Sequence, residues 1–462
     1  MISPSFRKKI TEQTALARRS VFLKNFSYVF TGNGLAMGIG LLFTPVFSRI
    51  YSPEAYGLFA LYMSLTAILT QVISLQYPRA FVIPKENDKF YKLVALSLLL
   101  ITVISLIVLG VIVVNKQAVL ETFNATALGN WIYLIPLTLF FSGINDVWRS
   151  WNIRIKEFKK GALALISSTL VTRLFTLTYG LLTQGGAAGL LAGDFLGKPS
   201  DTLMLQGRKI RLALPAILKN INLKTAWNTA VEFKQYPLFV LPGAWVFTLV
   251  LQLPIIFLSI YFSNDQLGYY SITNSLFVLP MSLLTAALAP VFLQKIAETY
   301  HSRPKDIAPM VKKLFWALHI AGLIPFSILI VFGDILLPFF LGDQWVGAGF
   351  YASVLGFYFI FYINSYVLNS LYRVYKKEST FLMVNVLMLL MCWGGLWIGT
   401  KYYGDVKAAI IGFCIANAVG QVIHIAFNLR MAGVPVLKNL LSSTAVALFA
   451  VGILYGIRML IE

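Results

Sequence analysis

The chemistry in this sequence rests on a few polar side chains set inside apolar stretches. Arg173, in TLVTRLFTLTYG, lies near the middle of one such stretch. An arginine at that depth in a membrane costs several kcal/mol unless it faces water or a partner. It reads either as a cation for an oxyanion, held through paired donors that stay charged in low dielectric, or as half of a structural pair with an acid such as Asp146. Arg79 stands near the end of another stretch, where it can serve a ligand or snorkel to the interface. Asp146 and Arg149, in GINDVWRSWNIR, are three apart on one helical face; they read as an intrahelical pair, an interfacial anchor or a gating pair. Asn33, Gln71, Gln252 and Asn274 are apolar-segment amides that either bond a polar ligand or bridge helices. Asn364 and Asn369 read the same way. His319, Asp334 and Asp194 are the candidates for ion coupling or gating. A histidine titrates near neutrality, yet His319 also fits a hydrogen-bonded helix contact, and solvation alone accounts for Asp334.

Other chemistry finds little support. No catalytic acid pair, nucleophile elbow, phosphate-binding glycine loop or metal-ligand spacing stands in a loop. The two cysteines, Cys392 and Cys414, both fall inside apolar segments and form no disulfide framework. No nucleotide-binding motif is present, so no cofactor is expected, and the energy for any transport must come from a proton or sodium gradient or from consumption of the product.

The elements that position these residues are membrane helices. Of 462 residues, 58% are hydrophobic and 12% charged, a composition outside that of soluble domains. Thirteen runs are long enough to cross a bilayer: 26–48, 58–82, 91–114, 129–150, 161–182, 185–206, 236–262, 268–293, 314–340, 349–372, 379–400, 408–428 and 439–460. The sixth is the least apolar, carrying Asp194, Lys198 and Asp201. The fold class expected is an all-α polytopic membrane protein of about twelve core helices plus a C-terminal extra span. Thirty of the 38 Lys and Arg fall in the N-terminal arm and in or at the edges of every second connector, five in or at the edges of the intervening connectors, and three (Arg79, Arg173, Lys198) within spans away from those edges. The positive-inside rule then puts the N-terminus in the cytoplasm. The net charge of +20 is mostly topology, with anionic headgroups drawing some of it; no folded domain is left to present it to nucleic acid. No cleavable signal peptide is read at the N-terminus, so the first helix is expected to stay as an anchor.

The chain divides into a basic arm (1–25), six spans (26–206), a basic linker (207–235), six more spans (236–428) and the last span (439–460). The linker, RKIRLALPAILKNINLKTAWNTAVEFK, reads either as an interfacial amphipathic helix or as a flexible tether. The two halves echo each other. SRIYSPEAYGLFALYMSL follows span one and LSIYFSNDQLGYYSITNSL follows span seven, each with Ile-Tyr, a short turn, a glycine (Gly57, Gly268) and Ser-Leu (Ser64-Leu65, Ser275-Leu276). Pro45 and Pro254 sit before the ends of the corresponding helices. An even number of spans per half relates such repeats by an axis along the membrane normal, a transporter arrangement with a central cavity.

GLLFTPVFSRIYSPEAYGLFALYMSL with ISLQYPRAFVIPKENDK resembles the opening of Wzx-type polysaccharide-unit flippases. LPIIFLSIYFSNDQLGYYSITNSLFVLPMSLLTAALAPVFLQ and FFLGDQWVGAGFYASVLG resemble later segments of that family, so the likeness covers nearly the whole chain. It departs at SLQYPRA, where the family reads close to SLRYE: Gln76 stands at the basic position, Pro78 at the acidic one, and the arginine is Arg79. The thirteenth span also exceeds the family's twelve.

The resemblance implies a member of the multidrug/oligosaccharidyl-lipid/polysaccharide exporter superfamily, with two six-helix lobes around a cavity. Its expected cargo is an undecaprenyl-pyrophosphate-linked oligosaccharide, moved from the inner to the outer leaflet of a bacterial inner membrane by alternating access. On that reading Arg173, Arg79 and Arg149 meet the pyrophosphate, while Asn33, Gln71, Gln252 and Asn274 meet sugar hydroxyls. Membrane lipids and other polysaccharide assembly proteins are the further expected partners. A cation-coupled multidrug exporter of the same superfamily is the alternative; it would favour an acidic cavity. A polysaccharide polymerase or ligase is a third reading, but the longest neutral connector, 115–128, holds one lysine and no histidine or arginine.

Overall fold

The computed structural model describes residues 4–183 and 185–461, with side chains outside the description at 4–26, 286, 287 and 301. The basic arm's charged side chains therefore lie outside the described residues. Sixteen α-helices follow one another with no strand among the described residues. In the first half these are α1 (Pro4–Ile50), α2 (Pro53–Ile73), α3 (Asn87–Thr122), α4 (Leu134–Arg154), α5 (Phe158–Thr183) and α6 (Ala187–Leu205). The connector holds α7 (Arg208–Lys219) and α8 (Leu223–Glu232). The second half has α9 (Leu241–Tyr261), α10 (Asn264–Ser302), α11 (Ile307–Leu341), α12 (Ala348–Leu368), the short α13 (Ser370–Val374), α14 (Glu378–Ile398), α15 (Val406–Met431) and α16 (Val436–Ile461).

Twelve segments are long and apolar enough to cross a membrane, the last of them Val436–Ile461. The protein is a multi-pass membrane protein. Of the thirteen expected spans only the sixth falls short, because of the charges on α6. This helix still runs the length of the bundle. Its start lies by the end of α1, where a Cβ on Gly185 would meet the Ile50 carbonyl oxygen at 2.0 Å. Its end lies by the basic end of α4, where the Asn152 amide donates to the Leu205 carbonyl at 3.1 Å. Gly193 and Gly197 fit α6 directly onto Thr176 and Thr172 of α5, and such small-residue spacing lets helix backbones approach in a membrane.

The connector is helical rather than a loose tether. On α7, Ile210, Ala213 and Ile217 are buried while Arg208, Lys209, Arg211 and Lys219 are exposed, the pattern of a helix lying at an interface. Lys209 pairs with Glu157 at 2.9 Å. Glu157 also bonds Lys160, and that bond, with Lys209 adding to it, holds its carboxyl below the usual carboxylate range. Farther along, Lys89 meets Glu232 of α8 at 3.4 Å.

The repeat seen in sequence becomes one contact in space. Ser52 and Ser263 cap α2 and α10, each accepting from the amide three residues on (Ala55 and Gln266). Each first turn carries an acid, Glu54 or Asp265, which favours the positive end of the helix dipole. The two starts press together. A Cβ on Gly57 would stand 2.0 Å from the Asn264 carbonyl oxygen, and one on Gly268 would stand 1.9 Å from that of Pro53. Around this clasp Trp345, wholly buried, lies edge-on to Tyr56 of α2 (5.2 Å between centroids) and Tyr269 of α10 (5.9 Å). Its indole donates to the Ser48 carbonyl at 2.7 Å. Arg49 donates to the carbonyls of Phe340 (3.1 Å) and Phe339 (3.3 Å), unsatisfied groups at the end of α11. Among the described residues, every side-chain hydrogen bond between the first and second halves lies at this neutral end. The bundle is closed there.

Valine at Gly57 or Gly268 is expected to force the two helix starts apart. In a background with both native cysteines replaced, a cysteine at the buried Ser48 position should then react several-fold faster with an impermeant maleimide, with size-exclusion elution as the folding control. An unchanged rate would show that the clasp does not hold this end shut.

Candidate functional site

Polar side chains gather in two places, one in each half. In the first half they line a wall made by α4, α5, α6 and the turn after α2. That turn is unusual: Leu75 (φ 47°) and Gln76 (φ 63°) are consecutive non-glycine residues in the left-handed region, where each is strained. The Gln76 amide donates to the Gln71 carbonyl at 2.8 Å and to the Gln71 side chain at 3.2 Å. Gln71 is thus engaged in holding the turn. Arg79 follows as the one exposed residue of a 3-10 turn, Tyr77–Ala80, whose other residues are buried.

Arg149 does not take Asp146 as its partner. One guanidinium nitrogen reaches both Asp201 oxygens, at 2.8 and 2.6 Å, because Asp201 is buried on α6 and would otherwise be left as an unpaired carboxylate. Beside it the Asn145 amide donates to the Lys198 carbonyl at 3.0 Å, and Thr202 donates to Asn145 at 2.6 Å. Lys198 pairs with Asp194 at 3.2 Å. All three α6 charges are therefore met. Asp146 is exposed, yet interacts electrostatically with Arg149, Arg79, Asp201 and Lys198.

Arg173 stands apart. Its guanidinium lies over the Phe47 ring, 5.5 Å from the centroid, and one terminal nitrogen is 3.5 Å from where a Cβ on Gly40 would stand. Its Nε is buried with no hydrogen-bond partner. Among the described residues it forms no ion pair, so the pairing with Asp146 considered from sequence is not made. Tyr56 and Asp194 are the ionisable groups that act on it electrostatically. After the ion pairs are counted, Arg173 and Arg79, with Arg154 and Lys159 at the basic end of the same helices, stand against Asp146 on this wall, an excess of positive charge.

Arg149 and Asn33 also line a cavity of about 290 Å³ at the basic end, between α1, α4 and α5. There Asn33 bonds the Val29 carbonyl of its own helix at 2.9 Å.

The second half holds a cavity of about 170 Å³, lined by Gln252, Asn274, Asn369, Asn385, Asn417 and Gln421 together with tyrosines and His424. Gln252 and Asn274, selected from sequence, meet in it. Asn385, Asn417, Gln421 and the tyrosines were missed. The signal lay in the helical period: Asn417, Gln421 and His424 recur along α15, and Tyr358, Tyr362 and Ser365 along α12, with Asn369 at its C-cap.

The remaining candidates stand at helix contacts. His319 is fully buried, its Nε2 3.0 Å from the Ser443 carbonyl on α16. Asn364 bridges to α11 when its amide is turned, with Phe315 O at 2.9 Å and His319 N at 3.3 Å. Asp334 takes Arg458 of α16 at 2.9 and 2.8 Å, which ties the last helix to α11 and gives that aspartate more than solvation. Among the described residues no group of His, Cys, Asp and Glu is arranged to hold a metal ion.

This helical arrangement is similar to transporters of the MOP superfamily. A multidrug-resistance MATE-family transporter in an inward-facing conformation matches with TM-score 0.65 at 13% identity, over 87% of this chain and 95% of that one. The lipid II flippase MurJ in an inward closed conformation matches with TM-score 0.64 at 13% identity, over 94% and 99%. A MOP superfamily transporter from Pyrococcus furiosus, described as having a binding pocket of reverse polarity, matches with TM-score 0.56 at 15% identity, over 88% and 95%. At these identities the likeness is one of fold. The chain belongs to the polysaccharide biosynthesis protein family, whose model matches residues 46–349. No curated protein matches it in sequence.

The pairing of Arg149 with Asp201 can be checked by a double-mutant cycle. Arg149→Met should destabilise the protein by about 3–5 kcal/mol, the scale of stranding a buried charge. Adding Asp201→Leu should restore most of the lost thermal stability in detergent. If the double variant is as unstable as Arg149→Met, the two residues are not partners in the folded protein.

Proposed function

We propose that this protein is a flippase for undecaprenyl-pyrophosphate-linked oligosaccharides, moving them from the inner to the outer leaflet of a bacterial inner membrane. The observation that carries this reading is Arg173, a guanidinium inside the bundle with its Nε unpartnered and no ion pair among the described residues. A membrane protein keeps such a group at a cost of several kcal/mol, and a pyrophosphate that accepts paired hydrogen bonds offsets that cost. Family membership supports polysaccharide assembly as the setting. Charge alternation supports a cytoplasmic N-terminus, which makes the closed neutral end the outer one and the resting cavity open to the inner leaflet, where such cargo is made.

The positive excess on the α4–α6 wall disfavours a carrier of cationic drugs. Arg79, exposed beside Asp146, is the second cation assigned to the phosphates, and Asn33 and Arg149 line the path at the basic end. Asp146, exposed and without an ion-pair partner among the described residues, is the group assigned to gating or to coupling with a proton or sodium gradient. His319 and Asp334, bonded to α16, would act in coupling only through that helix. Membrane lipids and the polysaccharide assembly proteins upstream and downstream are the expected partners.

Deletion should cause undecaprenyl-linked repeat units to accumulate on the inner leaflet. Normal surface polysaccharide with altered drug sensitivity would instead establish the exporter reading. At matched expression, Arg173→Ala should lower export by about tenfold or more, the scale of losing a charge-assisted hydrogen bond, and Arg173→Lys should retain part of it. Normal export by both variants would remove Arg173 from the site.

A further inference from the structure

The cavity of the second half contains no Lys, Arg, Asp or Glu in its lining. It lies among α9, α10, α12, α14 and α15, and α9 and α10 also pack against α2 of the first half. We infer that this cavity is the subsite for an uncharged sugar of the cargo, the phosphates being held on the opposite, charged wall. The inference rests on the flippase reading and adds the chemical class of the glycan.

The argument starts from hydrogen-bonding capacity. A sugar hydroxyl both donates and accepts, and a carboxamide offers both functions at fixed geometry. Six carboxamides converge here: Gln252, Asn274, Asn369, Asn385, Asn417 and Gln421. Helix bridging uses up little of their capacity: Asn369 accepts from Asn428 of α15 at 3.0 Å, and the others are less engaged. Gln252 makes no side-chain hydrogen bond among the described residues. Asn274 accepts from the Tyr358 hydroxyl at a long 3.4 Å, which leaves its amide nitrogen open. Asn417 accepts from Gln421 at 3.2 Å within one helix, a contact that bridges nothing. Asn385 bonds only the Phe381 carbonyl of its own helix, at 2.8 Å.

The rings complete the pattern. Tyr270, Tyr358, Tyr362 and Tyr366 line the same space and offer apolar faces to the C–H face of a pyranose together with hydroxyls at their edges. An acidic sugar would find no Lys or Arg here, His424 of the lining is engaged through its Nδ1 with the Tyr372 hydroxyl at 3.3 Å, and burying a carboxylate unpaired is strongly unfavourable. At about 170 Å³ the space is smaller than a complete small-molecule site, so it takes part of the cargo rather than a whole repeat unit.

The test uses the full-length protein in nanodiscs and three probes: undecaprenyl pyrophosphate, undecaprenyl-pyrophosphoryl-N-acetylglucosamine, and the carrier bearing glucuronic acid instead. The N-acetylglucosamine carrier should bind about tenfold tighter than the bare carrier, the worth of one or two hydrogen bonds, and the glucuronosyl carrier should show no such gain. Asn417→Leu and Gln421→Leu, each folded by elution volume and Tm, should lose the sugar-dependent gain while still binding the bare carrier. A gain that survives both variants, or that is larger for the glucuronosyl carrier, would overturn the neutral-sugar subsite alone. Failure of wild-type protein to bind the bare carrier would overturn the flippase reading and this inference with it. A sodium-dependent rise in Tm abolished by the same variants, with no sugar gain, would make the cavity a cation site and overturn the inference.

Discussion

The mutual approach of α2 and α10 at Gly57 and Gly268 is the contact on which the rest of the architecture depends. Each glycine faces a backbone carbonyl of the other helix's first turn at a distance no side chain would permit. With the two starts in contact, Trp345 fits between Tyr56 and Tyr269, and the ends of α1 and α11 fall within hydrogen-bond reach. The closure is a reciprocal contact between two copies of one motif, a capping serine followed by an acid and then glycine. Because the cross-half side-chain hydrogen bonds concentrate at that end, the halves are joined there and, among the described residues, are free of such bonds elsewhere. That is the mechanical condition for motion about one end of a bundle.

The second constraint is the cost of charge in an apolar medium. The α4–α6 region carries Asp146, Arg149, Arg173, Asp194, Lys198 and Asp201, more than a membrane interior tolerates unpaired. The fold answers most of this within itself: Arg149 reaches Asp201, Lys198 reaches Asp194, and the glycine seam of α6 draws the helix close enough to α5 for the pairs to be held among packed neighbours. Arg173 is left over. Its position against Phe47 gives the cation a ring face, which offsets part of its desolvation but supplies no acceptor for its N–H groups.

Much of this was legible in the sequence because membrane folding is governed by length and charge. The apolar runs locate the helices but not all of their ends, since the run 58–82 passes the end of α2 at Ile73 and the run 268–293 stops short of the end of α10 at Ser302, and the spacing of Gly57 and Gly268 within matched segments anticipates the repeat. The charged sixth run was the hardest to read for a physical reason. Hydropathy sums each residue as if it faced lipid, whereas Asp201 faces Arg149 and Asp194 faces Lys198. Partner choice was illegible on the same grounds: Asp146 and Arg149 share a helical face at i, i+3, yet a buried carboxylate on another helix competes better for the guanidinium. His319 and Asp334 depended likewise on α16, a helix far off in sequence. The amide cavity was partly legible, through Gln252 and Asn274, because the other contributors look like ordinary helix residues until five helices bring them together.

The two halves thus share a helix start but not a charge distribution. The first half sets ionised groups along α4, α5 and α6 (Asp146, Arg149, Arg173, Asp194, Lys198 and Asp201); the cavity of the second half is lined by carboxamides, tyrosines, apolar side chains, Ser365 and His424, with no Lys, Arg, Asp or Glu. A cargo with a charged end and a hydroxylated end would be held by both halves at once, and each would contribute binding energy only while the halves stand near each other. Opening at the neutral end requires separating the Gly57 and Gly268 contacts and freeing Trp345 from Tyr56 and Tyr269. The energy for that separation must come from a gain elsewhere, because a ligand shifts a conformational equilibrium only through its differential affinity for the two states. A ligand that bridges the charged wall and the neutral cavity more tightly when the basic end narrows supplies such a difference, whereas one confined to either half does not. On this argument the division of labour between the halves couples recognition to movement: the cargo that fits both sites is the cargo that can move the protein.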